Sequence, residues 1–358
     1  LTDDGGETRS ATRTYQLGFV AVQASIVSDD GFLSAQSAHK MSILRSSLDG
    51  TPLAGKGSYK IVALAQPTAT LLPSEQPVWQ APTDSPSAVS VRTVTPGDKL
   101  RPRAPEQWHP ETVLATWVDG NPLKQGELTH NEKGIAELSI PPLPAGAYRV
   151  RYQTVDAFGN PAEATHEFVV GDKSTPLNLP LYAKLAQERV TVGQSAKLLV
   201  ASGLRSPATF VDRYRGSDLI ERRLLTDADH GVLLFPVTEK DRGDFNIVVW
   251  AVRNHEQVEQ TLIIRVPWDN KDLSVAFSTF RDKLQPGEKE TWRMTVRDKT
   301  SNSPVLGKGA VELLAYMYDR SLDLFAAHTP PSVASIYPEH YSFENAHVSL
   351  QQINGAAV

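Results

Sequence analysis

The chain has 358 residues, no cysteine, and a net charge of −5 with both signs interspersed. This excludes disulfides, a thiol nucleophile and a cysteine-based zinc site, and it leaves no basic footprint for nucleic acid. A hydrophobic content of 40% against 22% charged residues marks a chain that folds, long enough for two to four domains, and no apolar run approaches the ~18 residues of a membrane span.

Short runs of alternating apolar residues dominate, and no long amphipathic helix stands out. The pattern predicts an all-β protein built of tandem antiparallel β-sandwiches of immunoglobulin-like or fibronectin-like type. The first residues, Leu1-Thr-Asp-Asp-Gly-Gly, carry neither Met nor a signal-like segment. We therefore expect a piece of a longer protein, with any export signal or lipid anchor upstream. Residues 1–35, with the strand-like Tyr15-Gln-Leu-Gly-Phe-Val-Ala-Val, are expected to close a domain that begins upstream.

A second domain is expected over 36–170. Gly55-Lys-Gly57 lacks the rest of a phosphate loop and reads as a turn or bulge, as does Gly307-Lys-Gly309 further on. Strand-like Tyr59-Lys-Ile-Val-Ala-Leu is separated from strand-like Thr112-Val-Leu-Ala-Thr-Trp-Val by a stretch, 67–110, that is too rich in proline for a central strand. It reads as an extended insertion across the domain surface, or as an interdomain linker. Gly146-Ala-Tyr148-Arg-Val150-Arg-Tyr152 follows, a Gly turn leading into an aromatic and then alternating apolar residues. The Tyr148 hydroxyl is placed to act as a tyrosine corner.

A third domain is expected over 176–267, with strands at Val190-Thr-Val, Ala196-Lys-Leu-Leu-Val and Leu262-Ile-Ile-Arg-Val. Gly243-Asp-Phe245-Asn-Ile247 can be laid over the Gly146 stretch at an offset of about one sandwich domain. A second match pairs Val192-Gly-Gln-Ser-Ala-Lys with Pro286-Gly-Glu-Lys-Glu-Thr. Asp227-Ala-Asp-His230-Gly falls short of a calcium loop and reads as a hairpin turn between Leu225 and Val232. A fourth, partial domain is expected over 270–358.

The fourth segment carries the most specific signature. Phe280-Arg-Asp-Lys-Leu-Gln-Pro-Gly, Trp292 and Ala315-Tyr-Met-Tyr-Asp-Arg-Ser-Leu-Asp resemble the bacterial α2-macroglobulins, as do Gly6-Glu-Thr-Arg-Ser and Leu48-Asp-Gly-Thr-Pro-Leu-Ala-Gly-Lys-Gly more weakly. The resemblance implies macroglobulin domains of a broad-spectrum protease trap, with Trp292, Tyr316, Tyr318, Asp319, Leu322 and Asp323 as structural signature residues just before the bait, the exposed segment that proteases cut. It also implies an exported protein of the periplasm or cell envelope, proteases as the trapped partners of the full-length protein, no cofactor and no catalytic residues. The family's thioester, where present, needs a cysteine, so this chain does not carry it. Residues 326–358 are the candidate bait-like segment, with Thr329, Ser332, Ser335, Tyr337, Tyr341 and Phe343 offering varied cleavage side chains. Completion of the fourth domain is the competing reading of these residues.

Other constellations read as structure. Asp319 and Asp323 would share a face only on a helix, and the strand-like Tyr316-Met-Tyr before them makes Asp319 a strand end. His328, His340 and His347 with Glu339 and Glu344 match no compact metal-ligand spacing. Trp117, Trp250 and Trp292 are expected in cores. Two further functions compete with the trap: a tandem immunoglobulin-like scaffold or binding module of a surface protein, and an accessory β-segment of an exported hydrolase.

Overall fold

The structure, a computed structural model of the chain, describes residues 18–75, 108–204, 208–226, 229–254, 256–278 and 291–299, with 287, 289, 303, 323, 328, 329 and 336–340. Most of these residues lie in antiparallel β-sheet. The first sandwich packs two sheets face to face. One is three-stranded, with β3 (His39–Ser47) between β1 (Val22–Val27) and β6 (Ile135–Ile140). The other holds β2 (Leu33–Ser34), β8 (Pro161–Gly171), β7 (Gly146–Val155), β4 (Gly55–Ala65) and β5 (Val118–His130), in that spatial order. Only the short β2–β8 pairing is parallel among the ladders of these two sheets.

Residues 22–34 do not behave as the end of an upstream domain. β1 pairs with β3 from Val22↔Ser47 to Val27↔Ser42, and β2 pairs with β8 at Leu33↔Val170. Alternation decides this: Val22 is buried, and Ala24 and Ile26 pack on the same core as Met41, Ile43 and Leu138.

The second sandwich holds β9 (Tyr182–Leu185), β10 (Ser195–Ala201) and β13 (Gly231–Pro236) in one sheet. Its other sheet has the order β12 (Asp218–Leu225), β11 (Ala208–Arg215), β14 (Phe245–Arg253), β15 (Glu256–Ile264). β7 and β14, the two copies of the Gly-aromatic repeat, each lie inside their sheet with a partner on both sides. Tyr148 does act as a corner: its hydroxyl donates to the Pro144 carbonyl at 2.9 Å. In the second match, Gly193 and Gly287 share a left-handed φ of 88° and 84°, the conformation that favours glycine.

The hairpin expected between Leu225 and Val232 is not formed. β12 and β13 belong to different sheets. Val190-Thr-Val is not a strand; Arg189 just before it makes an isolated bridge with Arg265, and the Val190 N–H donates to the Arg265 carbonyl at 3.0 Å. Two strands of the fourth segment, β16 (Leu273–Phe277) and β17 (Met294–Asp298), form a two-stranded antiparallel sheet whose Leu273, Val275 and Phe277 are about half exposed.

Of the stretch expected as a strand at 112–118, residues 112–116 lie instead in a helix, α1 (Pro110–Thr116), and only Val118 is in a strand, as the first residue of β5. Proline at the first turn is preset for helix and has no N–H to leave unsatisfied. The end of α1 is held by a buried side chain on β7. Arg149 donates to the carbonyls of Leu114 (3.1 Å), Ala115 (2.9 Å) and Trp117 (3.0 Å), and to the carboxylates of Asp119 and Glu167. Orphan carbonyls at a helix C-terminus are thereby paired with a cation.

α1 and the residue before it, His109, follow Trp108, and together they join the two sandwiches. Leu64, Ala147 and Val169 from the outer face of the five-stranded sheet, with Trp108, Leu114 and Trp117, share one continuous core with Leu179, Leu181, Tyr182 and Leu199 of the second sandwich. The Trp108 indole donates to the Leu181 carbonyl at 2.7 Å. The first residues of the proline-rich stretch also lie on the second sandwich. Asn178 bonds the Gln66 side chain and the Pro67 carbonyl, while the Ser74 hydroxyl and N–H meet Glu256.

Candidate functional site

The sequence-predicted site residues that the structure describes are Thr329, Tyr337, Trp292 and Asp323; Ser332, Ser335, Tyr341, Phe343, Tyr316, Tyr318, Asp319 and Leu322 lie outside the described residues. Thr329 is exposed. Tyr337 is half-buried and stacks on Trp268, ring centroids 5.5 Å apart and planes at 27°. Trp292, expected in a core, is 44% exposed, whereas Trp117 and Trp250 are buried. Asp323 accepts a hydrogen bond from the His328 N–H at 3.3 Å.

The stretch around Tyr337 is therefore built into the second sandwich. The Trp268 indole donates to the Pro338 carbonyl at 3.2 Å, the Gly216 N–H to the His340 carbonyl, and the His340 N–H to the Gly243 carbonyl. Ile336 beside it is 73% exposed. Of the cleavage side chains proposed from sequence, the structure describes two: Tyr337, held in a contact, and Thr329, exposed. Sequence reasoning missed the partners, Gly216, Gly243 and Trp268, because the two glycines sit in turns where glycine raises no alarm and Trp268 stands just before a short 3-10 helix after β15.

Several titratable groups are shifted by their surroundings. Asp119 is held below the usual carboxylate range by the Arg151 and Arg149 guanidiniums against the opposing effect of burial. His130 is 2% exposed in the first sandwich. Burial lowers its basicity, with the Arg45 charge adding to the effect. Asp156 is buried in the turn between β7 and β8. Burial alone would raise its pKa. The N–H groups of Ala21, Phe158 and Asn160 and the Asn160 amide outweigh that and bring it to about 2.

An open, mostly polar cleft of about 750 Å³ lies where Ser28–Gly31 of the first sandwich meets Lys184–Arg189 and Thr261–Arg265 of the second. Asp29, Lys184, Glu188, Arg189 and Arg265 give its lining charges of both signs. Among the described residues, no three His, Asp or Glu side chains come together as metal ligands, and no helix is long and apolar enough to cross a membrane.

No family model matches the chain, and no curated protein matches it. Among solved structures, the chain is similar to E. coli α2-macroglobulin in its native conformation, at 14% identity and a TM-score of 0.26, over 76% of this chain and 16% of that one. It is similar to E. coli α2-macroglobulin activated by porcine elastase at 13% identity and a TM-score of 0.27, over 79% and 25%. It is also similar to a tetra-tandem repeat in the extending region of a large adhesion protein, at 14% and 0.22, over 72% and 52%. The chain thus spans a small part of the macroglobulin chains. Likenesses of this depth carry no argument about activity, and the fold class rests on the sheets themselves.

Proposed function

We propose that this chain is a structural part of a broad-spectrum, protease-trapping endopeptidase inhibitor of α2-macroglobulin type, exported, and without catalytic residues of its own. The observation that carries the proposal is the continuous core joining the two sandwiches through Trp108, Leu114 and Trp117. A trap that converts one cut into a large rearrangement needs stiff bodies, so that a change at one end moves whole domains rather than bending a linker. The sequence resemblance over 265–325 supports the same reading. Proteases are its partners as targets of the full-length protein, and residues around 326–358 are the segment offered to them.

Limited proteolysis with several proteases of unrelated specificity tests this. The expected result is cuts from all of them within 326–335 and 341–358, with 18–299 resistant. Cuts confined to 76–107, with 326–358 untouched, would remove the bait-like segment from the proposal. The alternative is a scaffold module of an exported or surface protein, which the same stiff double sandwich favours. It predicts an intact tail together with specific binding to a glycan or cell surface. An accessory role in a hydrolase predicts a catalytic domain elsewhere in the full-length protein and no activity in this chain; hydrolysis by this chain alone, lost on Asp319→Asn, would overturn the non-enzyme reading.

A further inference from the structure

The contacts of residues 336–340 form a pattern. Gly216 sits in the turn between β11 and β12, and Gly243 in the turn before β14; both have left-handed φ, +57° and +83°. His340 bridges the two turns, giving its carbonyl to the Gly216 N–H and its N–H to the Gly243 carbonyl. Two residues earlier, Pro338 accepts from the Trp268 indole, and Tyr337 stacks on the same indole. The fit is close at the backbone: a Cβ on Gly243 would lie 2.2 Å from the Pro338 oxygen. Gly243 thus serves both its turn and the surface on which the segment lies.

We infer that Gly216, Gly243 and Trp268 form a groove for an extended aromatic–proline segment, and that residues 336–340 of this same chain are its ligand, a strap holding the C-terminal part of the chain on the second sandwich. Recognition is by an aromatic stack and backbone hydrogen bonds at alternate positions, which suits an extended peptide added to loop edges. The chain between Asp298 and Ile336 is then anchored at both ends, by β17 and by the strap. A single cut within that stretch leaves two pieces that stay together. This inference stands apart from the protease-trap reading, since it concerns how the chain holds itself and not what it captures.

Hydrogen exchange on the intact chain tests it. The Gly216 and His340 amides should exchange slowly, although both lie in turns or loops. Tyr337→Ala should speed both by about tenfold, the scale of one stacked ring and one net hydrogen bond, with the β15 amides unchanged. Tyr337 lies on the strap, so its replacement leaves the sandwich core intact; Trp268→Ala should give the same release from the groove side. As a second readout, after one protease cut between 300 and 335 the C-terminal piece should co-elute with the rest on native size exclusion, and separate in the Tyr337→Ala protein. Free exchange of both amides in the unaltered chain overturns the strap, as does protection unchanged by Tyr337→Ala. Immediate separation of the nicked pieces also overturns it.

Discussion

Arg149 shows how much one buried side chain holds in this protein. It is 3% exposed and serves three carbonyls and two carboxylates at once. Arg149→Met would leave Asp119 and Glu167 without their buried cation and the end of α1 without its cap. We expect a loss of about 3–5 kcal/mol, read by chemical denaturation. Two other groups set a dependence on pH. His130 has a depressed pKa, so its contribution is present above the unfolded value near 6.5 and is lost as pH falls from there through its lower folded value. Asp156 falls to about 2 in the fold, so its contribution is present above about 4 and is lost as pH drops toward 2. In an acid titration of stability, His130→Phe should lessen the loss that begins below about 6.5, and Asp156→Asn the loss between about 4 and about 2. The glycines of Gly55-Lys-Gly57, read from sequence as a turn or bulge, sit inside β4. A Cβ on Gly57 would meet the Tyr152 hydroxyl at 2.1 Å, and one on Gly55 the Arg45 guanidinium at 2.8 Å. Side chains crossing from neighbouring strands set these positions, and a single sequence does not display them.

At the scale of elements, strands were legible where alternation was strong. Ala196-Lys-Leu-Leu-Val and the two Gly-aromatic repeats lie in β10, β7 and β14. α1 was not legible. Thr112-Val-Leu-Ala-Thr-Trp-Val is rich in β-branched residues, and tertiary burial of Leu114 and Trp117 with the Arg149 cap overrides that preference. The change of sheet between β12 and β13 was hidden for another reason. The Thr226 hydroxyl and N–H bond the Asp229 carboxylate, a local turn that looks the same whether the next strand returns to its own sheet or enters the other. Trp117→Ala is expected to cost about 3–5 kcal/mol and to unfold α1. A cooperative denaturation curve shifted to lower midpoint, with lost protection of the α1 amides, would check it.

Across the whole molecule, the candidate bait and signature residues were legible as types but not as geometry. Sequence could nominate Tyr337 but could not see that Trp268 and Gly243, far along the chain, had already engaged its neighbourhood. Nor could it see that the outer face of the five-stranded sheet, which alternation assigns to solvent, is covered at one end by α1 and the second sandwich. The joint is close at Gly31, whose N–H donates to the Ala186 carbonyl and whose Cβ would lie 2.2 Å from the Leu185 carbonyl oxygen. Gly31→Val should push the two bodies apart. Small-angle scattering is expected to show a larger radius of gyration, and thermal unfolding to change from one transition to two.

The shared core also orders events in time. The ribosome delivers Trp108, Leu114 and Trp117 before any of Leu179, Leu181 or Leu199, so the first sandwich emerges with a tryptophan-rich patch that has nothing to rest on. Until roughly ninety more residues have followed, at about 5–20 residues per second, that patch is an adhesive surface facing whatever else is near. A nascent chain of this design is therefore exposed for several seconds to chaperones or to its own siblings, and its yield on expression will be set in that interval rather than by the stability of the finished fold.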